Sequence, residues 1–138
     1  MSAIIGPARK FFDACETGQG WEACASYCHP GATFSAQTDV LADISTIEQY
    51  SEWMKGMFTP VPDGRYELKF FAADDADQSV AAVAVFHGTQ TGQGGPVPPT
   101  GNKIAADYVY HIDFDGDRVR HMTKIWNDGF SLKQLGWA

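Results

Sequence analysis

Ionisable residues set inside apolar stretches are few in this chain, and they define the chemistry it could perform. Asp107 sits within Ala105-Ala106-Asp107-Tyr108-Val109-Tyr110. Read as a strand, the segment places Asp107, Val109 and His111 on one face and Tyr108, Tyr110 and Ile112 on the other. A carboxyl held away from bulk water is suited to proton transfer. Further along, Met122, Lys124, Trp126 and Asp128 alternate onto a single face. If that face and the Asp107 face both look inward, Lys124 is the natural partner of Asp107 or Asp128, as a catalytic pair or as a structural ion pair. His87, in Val85-Phe86-His87-Gly88, and His111 can serve as acid or base near neutral pH. The catalytic candidates are therefore Asp107, His111, Lys124 and His87. Phe34, Trp53, Met57, Met122, Trp126 and Asp128 are the candidates for holding a substrate.

Other patterns point away from metals and nucleotides. Cys24-x-x-x-Cys28-His29 has helical spacing, but cysteine on a half-buried helix is commonly a small hydrophobe, so no metal is expected. Gly92-Gln93-Gly94-Gly95 lacks the third glycine and the following helix of a dinucleotide fingerprint. No Walker, Gly-x-Ser-x-Gly or His-Glu-x-x-His motif is present.

The elements that must position these groups divide the chain in two. Ala8, Phe11, Phe12 and Cys15 form one helical stripe that Gly18 and Gly20 end. A short second helix over Trp21–Tyr27 stops before His29-Pro30-Gly31, and Ala32–Ala36 reads as a short strand. Ser45-Thr46-Ile47-Glu48 has the form of a capping box opening a third helix, with Ile47, Tyr50, Met54, Met57 and Phe58 as its apolar stripe. The second half changes period. Arg65–Ala72, Ser79–Thr91, Lys103–Phe114 and Arg118–Asn127 are rich in β-branched and aromatic residues, and Asp115-Gly116 is a hairpin signal. Helices first and a meander afterwards predicts an α+β fold, with three N-terminal helices packed on one face of a curved antiparallel sheet.

Length and composition bound the rest. The 138 residues predict one domain spanning 1–138. Ten Lys and Arg against seventeen Asp and Glu give a net charge of −7, which offers a phosphate backbone no basic surface and excludes nucleic acid as a partner. No apolar run reaches the ~20 residues of a membrane helix, and the N-terminal residues do not read as a secretory signal, so a cytoplasmic location is expected. The three cysteines fit free thiols in a reducing compartment.

Four segments in order carry a family resemblance. They are Phe86-His87-Gly88-Thr89-Gln90-Thr91-Gly92, Pro99-Thr100-Gly101-Asn102-Lys103, Asp115-Gly116-Asp117-Arg118-Val119, and Trp126-Asn127-Asp128 through Gln134-Leu135-Gly136. Together they resemble the SnoaL-like polyketide cyclases of the NTF2-like superfamily, which also holds the ketosteroid isomerases. The resemblance implies a cone-shaped sheet wrapped on helices (the cystatin-like α+β barrel), an apolar cavity, a homodimer, and cofactor-free proton transfer beside a carbonyl. It aligns Asp107 with the oxyanion-binding Asp of the isomerases and Trp126 with an aromatic wall. It also puts Ala36 where their general base lies and Phe11 where their oxyanion Tyr lies. Against the cyclases, Lys124 stands at the acid/base Asp, and Gln90 replaces the motif histidine.

Two functions are open at this point. One is a cyclase, isomerase or dehydratase without a cofactor, acting on a small hydrophobic carbonyl compound lodged between Phe34, Trp53, Met57 and Trp126. The other is a non-catalytic binding or dimeric interaction module on the same scaffold. The apolar Tyr108, Tyr110 and Ile112 face is expected to be covered by a second subunit.

Overall fold

A computed structural model describes residues 3–138. Its elements run α1 (Ile5–Glu16), α2 (Trp21–Cys24, continued by a 3-10 turn, Ala25–Tyr27), β1 (Cys28–Ala36), α3 (Ile47–Met57), β2 (Arg65–Asp74), β3 (Ser79–Thr89), β4 (Lys103–Asp115), β5 (Arg118–Trp126) and α4 (Asp128–Leu135). The fold is α+β, a curved open sheet of five strands in the order β1-β5-β4-β3-β2. The β2–β5 meander is antiparallel, as its turn residues require. β1 departs from the expected all-antiparallel sheet, because it runs parallel to β5. The long connection through α3 and the meander gives the chain room for that crossover.

The helices are set by local chemistry. α3 starts on a capping box displaced by one residue from the expected Ser45/Glu48 pair. Thr46 Oγ1 accepts from Gln49 N at 3.1 Å, and Gln49 Oε1 accepts from Thr46 N at 3.2 Å. α4 is not expected from the sequence. Asn127 caps its start by accepting from Phe130 N at 3.0 Å, and Gly136 ends it at φ 79°, a left-handed conformation suited to glycine.

Phe11, Phe12, Cys15, Ile47 and Tyr50 from the helices pack against Val80, Ala82, Tyr110 and Ile112 from the sheet in the main core. A smaller cluster of Val61, Ile104, Ala106 and Leu135 lies beneath α4. Tyr108, Tyr110 and Ile112 are 3%, 0% and 0% exposed, so the face assigned to a partner subunit is the interior of the protein. Its neighbours Asp107 and His111 consequently lie on the outer face.

One residue sets which side chains of β5 join that interior. The β4–β5 hairpin begins with Asp115 opposite Arg118, a register that would bring Asp107 opposite Trp126. Between Phe114↔Val119 and Asp113↔His121, however, β5 advances two positions while β4 advances one, leaving Arg120 as an extra residue. Beyond that bulge Tyr110 pairs with Lys124 and Tyr108 with Trp126. β4 keeps the inward set that its unbroken pairing with β3 dictates, and the bulge brings Lys124 and Trp126 of β5 onto that same face.

Candidate active site

Between the main core and the smaller cluster lies a cavity of about 290 Å³. Trp53, Met54 and Met57 of α3 form one wall; Phe86, Ile104, Tyr108 and Trp126 of the sheet form the other. Its mouth is bounded by Val40, Pro96, Leu132 and Trp137. The 90–101 segment that carries Pro96 is tied down by Gln90, which is fully buried, donates to the Gly92 carbonyl at 3.0 Å and accepts from Thr100 N. Gly92 lies so close to the Thr59 carbonyl that a Cβ there would sit 2.0 Å from it, so only glycine fits. The Trp137 Nε1 is buried and has no acceptor among the described residues.

The inner end is polar in an otherwise apolar chamber. Lys124 is 5% exposed and Glu16, the last residue of α1, is 1% exposed. Lys124 Nζ donates to Tyr50 Oη at 2.8 Å, and the Tyr110 hydroxyl donates to the same oxygen at 2.8 Å. With both lone pairs engaged, Tyr50 directs its own proton toward Glu16 Oε1 at 3.5 Å. Tyr108 donates to the other carboxyl oxygen, Oε2, at 3.0 Å. Around the ammonium stand four aromatic rings: Trp126 at 4.5 Å, Tyr50 at 5.0 Å, Tyr108 at 5.3 Å and Trp53 at 5.6 Å from centroid to Nζ. Their negative faces attract a cation in the place of lost water.

Burial dominates the acid–base behaviour here. It pushes Glu16 up to about 7, although the Lys124 charge and the Tyr108 and Tyr50 hydrogen bonds pull in the other direction. Loss of hydration lowers Lys124, with the Glu16 charge opposing. Tyr50 and Tyr108 are both raised, first by burial and then by the neighbouring carboxylate, so their hydroxyls remain donors. A carboxyl that exchanges its proton near neutrality beside a depressed amine is what proton transfer at neutral pH needs.

The structure brings Trp53, Met57, Lys124 and Trp126 together in the cavity wall, as the sequence suggests. Phe34 and Met122 are buried on the inner side but behind the wall: Phe34 stacks on Tyr50 at 4.5 Å, and Met122 is part of the core. Asp128 lies outside the chamber. Its carboxylate accepts from Val40 N at 3.1 Å and Gly129 N at 2.9 Å at the start of α4. The expectation that Asp107 enters the cavity is corrected: it is exposed on the outer face, because the unbroken β3–β4 ladder turns Ala106, Tyr108 and Tyr110 inward. His111 shares that face and reaches toward Asp113 at 3.8 Å. His87 also turns outward, pairing with Glu67 at 3.0 Å while Phe86 takes the inward position. The expected Lys124–Asp107 or Lys124–Asp128 pair is replaced by Lys124 and Glu16.

Glu16, Tyr50 and Tyr108 are the polar groups of the chamber's inner end that sequence reasoning passes over. Glu16 had a signal: it stands four residues after Phe12 and eight after Ala8, so it extends the apolar stripe of α1. Among the described residues, Asp77, His111 and Asp113 have ligand atoms within 4.8 Å of one another, the grouping best suited to a metal ion, but none of them lines the cavity. Cys24 and Cys28 are buried, and His29 bonds to the Asp115 carbonyl at 2.8 Å.

Comparison with known proteins agrees with this architecture. The SnoaL-like domain family matches residues 8–122. A candidate polyketide cyclase from Acidithiobacillus ferrooxidans superposes with a TM-score of 0.77 at 21% identity, covering 100% of this chain and 99% of that one. IdmH from Streptomyces antibioticus, also described as a candidate polyketide cyclase, gives 0.76 at 17% identity, with 98% and 99% covered. An NTF2-like protein from Burkholderia pseudomallei gives 0.72 at 10% identity, with 98% of each chain covered. No curated protein matches the sequence. Identities this low speak for a shared NTF2-like fold and leave the reaction to be argued from the site.

Proposed function

This chain belongs to the SnoaL-like domain family, and we propose that it is an enzyme of the polyketide cyclase type, moving a proton beside the carbonyl of a small, planar, hydrophobic compound. One observation carries the reading. An acid and an amine, both withdrawn from water, share Tyr50 at the inner end of a chamber whose walls are otherwise apolar and aromatic. Leaving either charge unpaired there would cost several kcal/mol, so the pair constrains the chamber's chemistry more than its packing.

In this reading Glu16 takes the proton from the carbon next to the carbonyl. Lys124 faces the oxygen on which negative charge develops, in a water-poor setting where such an interaction is strong. Tyr108 holds the carboxyl in place, while Trp53 and Trp126, packed edge to face at 6.1 Å, give the flat substrate an aromatic wall. Deuterium exchange at the α-carbon of 2-tetralone, followed by proton NMR in D2O, tests the step. Exchange above the buffer rate, lowered by about 10²-fold or more in Glu16→Gln, is the expected result.

The binding-module alternative draws on a different observation. The positions where the relatives carry acid/base groups hold Ala36, Phe11, Lys124 and Gln90, and Gln90 is consumed in holding its loop. Quenching of Trp53 and Trp126 fluorescence by 2-tetralone without exchange at any pH would favour that alternative. The case for a homodimer changes its ground. With Tyr108 and Tyr110 inside, the apolar groups left for a second subunit are those of the outer face, including Val83, Val109 and the 61% exposed Ile125.

A further inference from the structure

We infer that Lys124 is a covalent carbonyl trap: its amine forms an imine with an aldehyde or ketone that enters the cavity. The inference rests on the reading of the cavity as a carbonyl site, and it adds a chemical bond to that reading.

The hydrogen-bond inventory carries the argument. An ammonium has three N–H donors, and among the described residues Lys124 Nζ has one acceptor, Tyr50 Oη at 2.8 Å. A protonated imine has a single N–H and the same positive charge. It matches one acceptor and a surrounding cage of rings better than an ammonium does. The four centroids at 4.5–5.6 Å give that cation its electrostatic support without asking for further hydrogen bonds. The new bond would point the substrate into the cavity that Lys124 lines.

The acid needed for the step is present. Glu16 and Lys124 together hold one mobile proton, as carboxylate with ammonium or as carboxylic acid with free amine. In the second form the lone pair of Nζ adds to the carbonyl carbon, and a proton passes from nitrogen to oxygen to give the neutral carbinolamine. Glu16 then protonates the departing hydroxyl. Water leaves, the C=N bond forms as a protonated imine, and Glu16 is left as carboxylate. Atoms and charge balance: carbonyl, amine and carboxylic acid give iminium, carboxylate and water. Desolvation, which favours free amine and neutral acid, supports this partition.

The test is reductive trapping at neutral pH. The full chain is mixed with 2-naphthaldehyde and sodium cyanoborohydride, which delivers hydride to the iminium carbon and fixes it as a secondary amine. Intact mass and peptide mapping then locate the adduct, and tryptophan quenching in the same sample reports binding. The expected result is one naphthylmethyl group per chain at Lys124, at least tenfold enriched over Lys10, Lys55, Lys69, Lys103 and Lys133. The adduct should be absent in Lys124→Arg and slowed in Glu16→Gln, with circular dichroism confirming that each variant folds. Quenching with no adduct at Lys124 in the parent chain overturns the imine and leaves the cavity reading standing. Neither quenching nor adduct overturns both.

Discussion

Glu16 and Lys124 meet on a single oxygen. Tyr50 Oη accepts from Lys124 Nζ at 2.8 Å and turns its proton toward Glu16 Oε1 at 3.5 Å. The phenol thus couples two groups that burial drives toward neutrality from opposite sides. Whichever of them holds the proton, the chamber's inner end keeps the same total charge.

The first prediction concerns stability and pH. Glu16 retains a proton in the folded protein up to about 7, whereas the unfolded chain releases it near 4.5. Its contribution is therefore fully present below about 4.5 and is lost as pH rises toward about 7. The loss amounts to roughly 3 kcal/mol at ~1.4 kcal/mol per unit. Urea unfolding of the parent chain and Glu16→Gln across this window should show a difference that shrinks or reverses at the acid end. Parallel curves would contradict the buried carboxyl.

Coupling between the two groups gives the second prediction. Lys124→Met is expected to destabilise more at pH 8 than at pH 5, because only at the higher pH does it leave a buried carboxylate without its countercharge. A double-mutant cycle with Glu16→Gln at pH 8 should return an interaction energy of roughly 0.5–3 kcal/mol. Additive effects would mean that Tyr50 does not connect them.

Asp107→Asn, by contrast, is expected to be nearly silent. The carboxylate is exposed on the outer face, and surface changes of this kind typically stay within ~0.5 kcal/mol. Exchange of 2-tetralone should keep its parent rate; a collapse of activity would mean the outer face takes part.

The fourth prediction tests the placement of α3, which supplies Tyr50 and Trp53. Thr46→Ala removes the acceptor for Gln49 N and should cost about 1 kcal/mol in a denaturant titration. Ser45→Ala should cost little, since Ser45 Oγ makes only a 3.4 Å contact with Gln49.

Much of the architecture is legible from periodicity. The stripe Ala8, Phe11, Phe12 and Cys15 and the aromatic, β-branched strands leave little choice of element. Lys124, Trp126, Trp53 and Met57 are legible too, as a cation and large side chains on inward faces. The sequence points to the wrong acid partner because alternation within β4 says which residues travel together, not which set faces inward. The unbroken ladder with β3 decides that, and which side chains of β5 join them depends on the bulge. Its trace in the sequence is faint: Val119 and Met122, both fully buried, lie three apart where a regular strand would space them by two or four. Glu16 was hidden differently, as a charged residue ending an apolar stripe, where it reads as solvated helix surface.

The bulge at Arg120 also bears on how such a protein can diversify. Strand β5 encodes two side-chain sets, Lys124 with Trp126 and Thr123 with Ile125, and the extra residue lets Val119 and the first set share the inner face. Because Arg120 is the unpaired residue, deleting its codon would straighten the ladder and leave the pairs Ile112↔Met122 and Tyr110↔Lys124 as they are. A lineage carrying this hairpin can lose the kink and keep the same equipment in its reaction vessel.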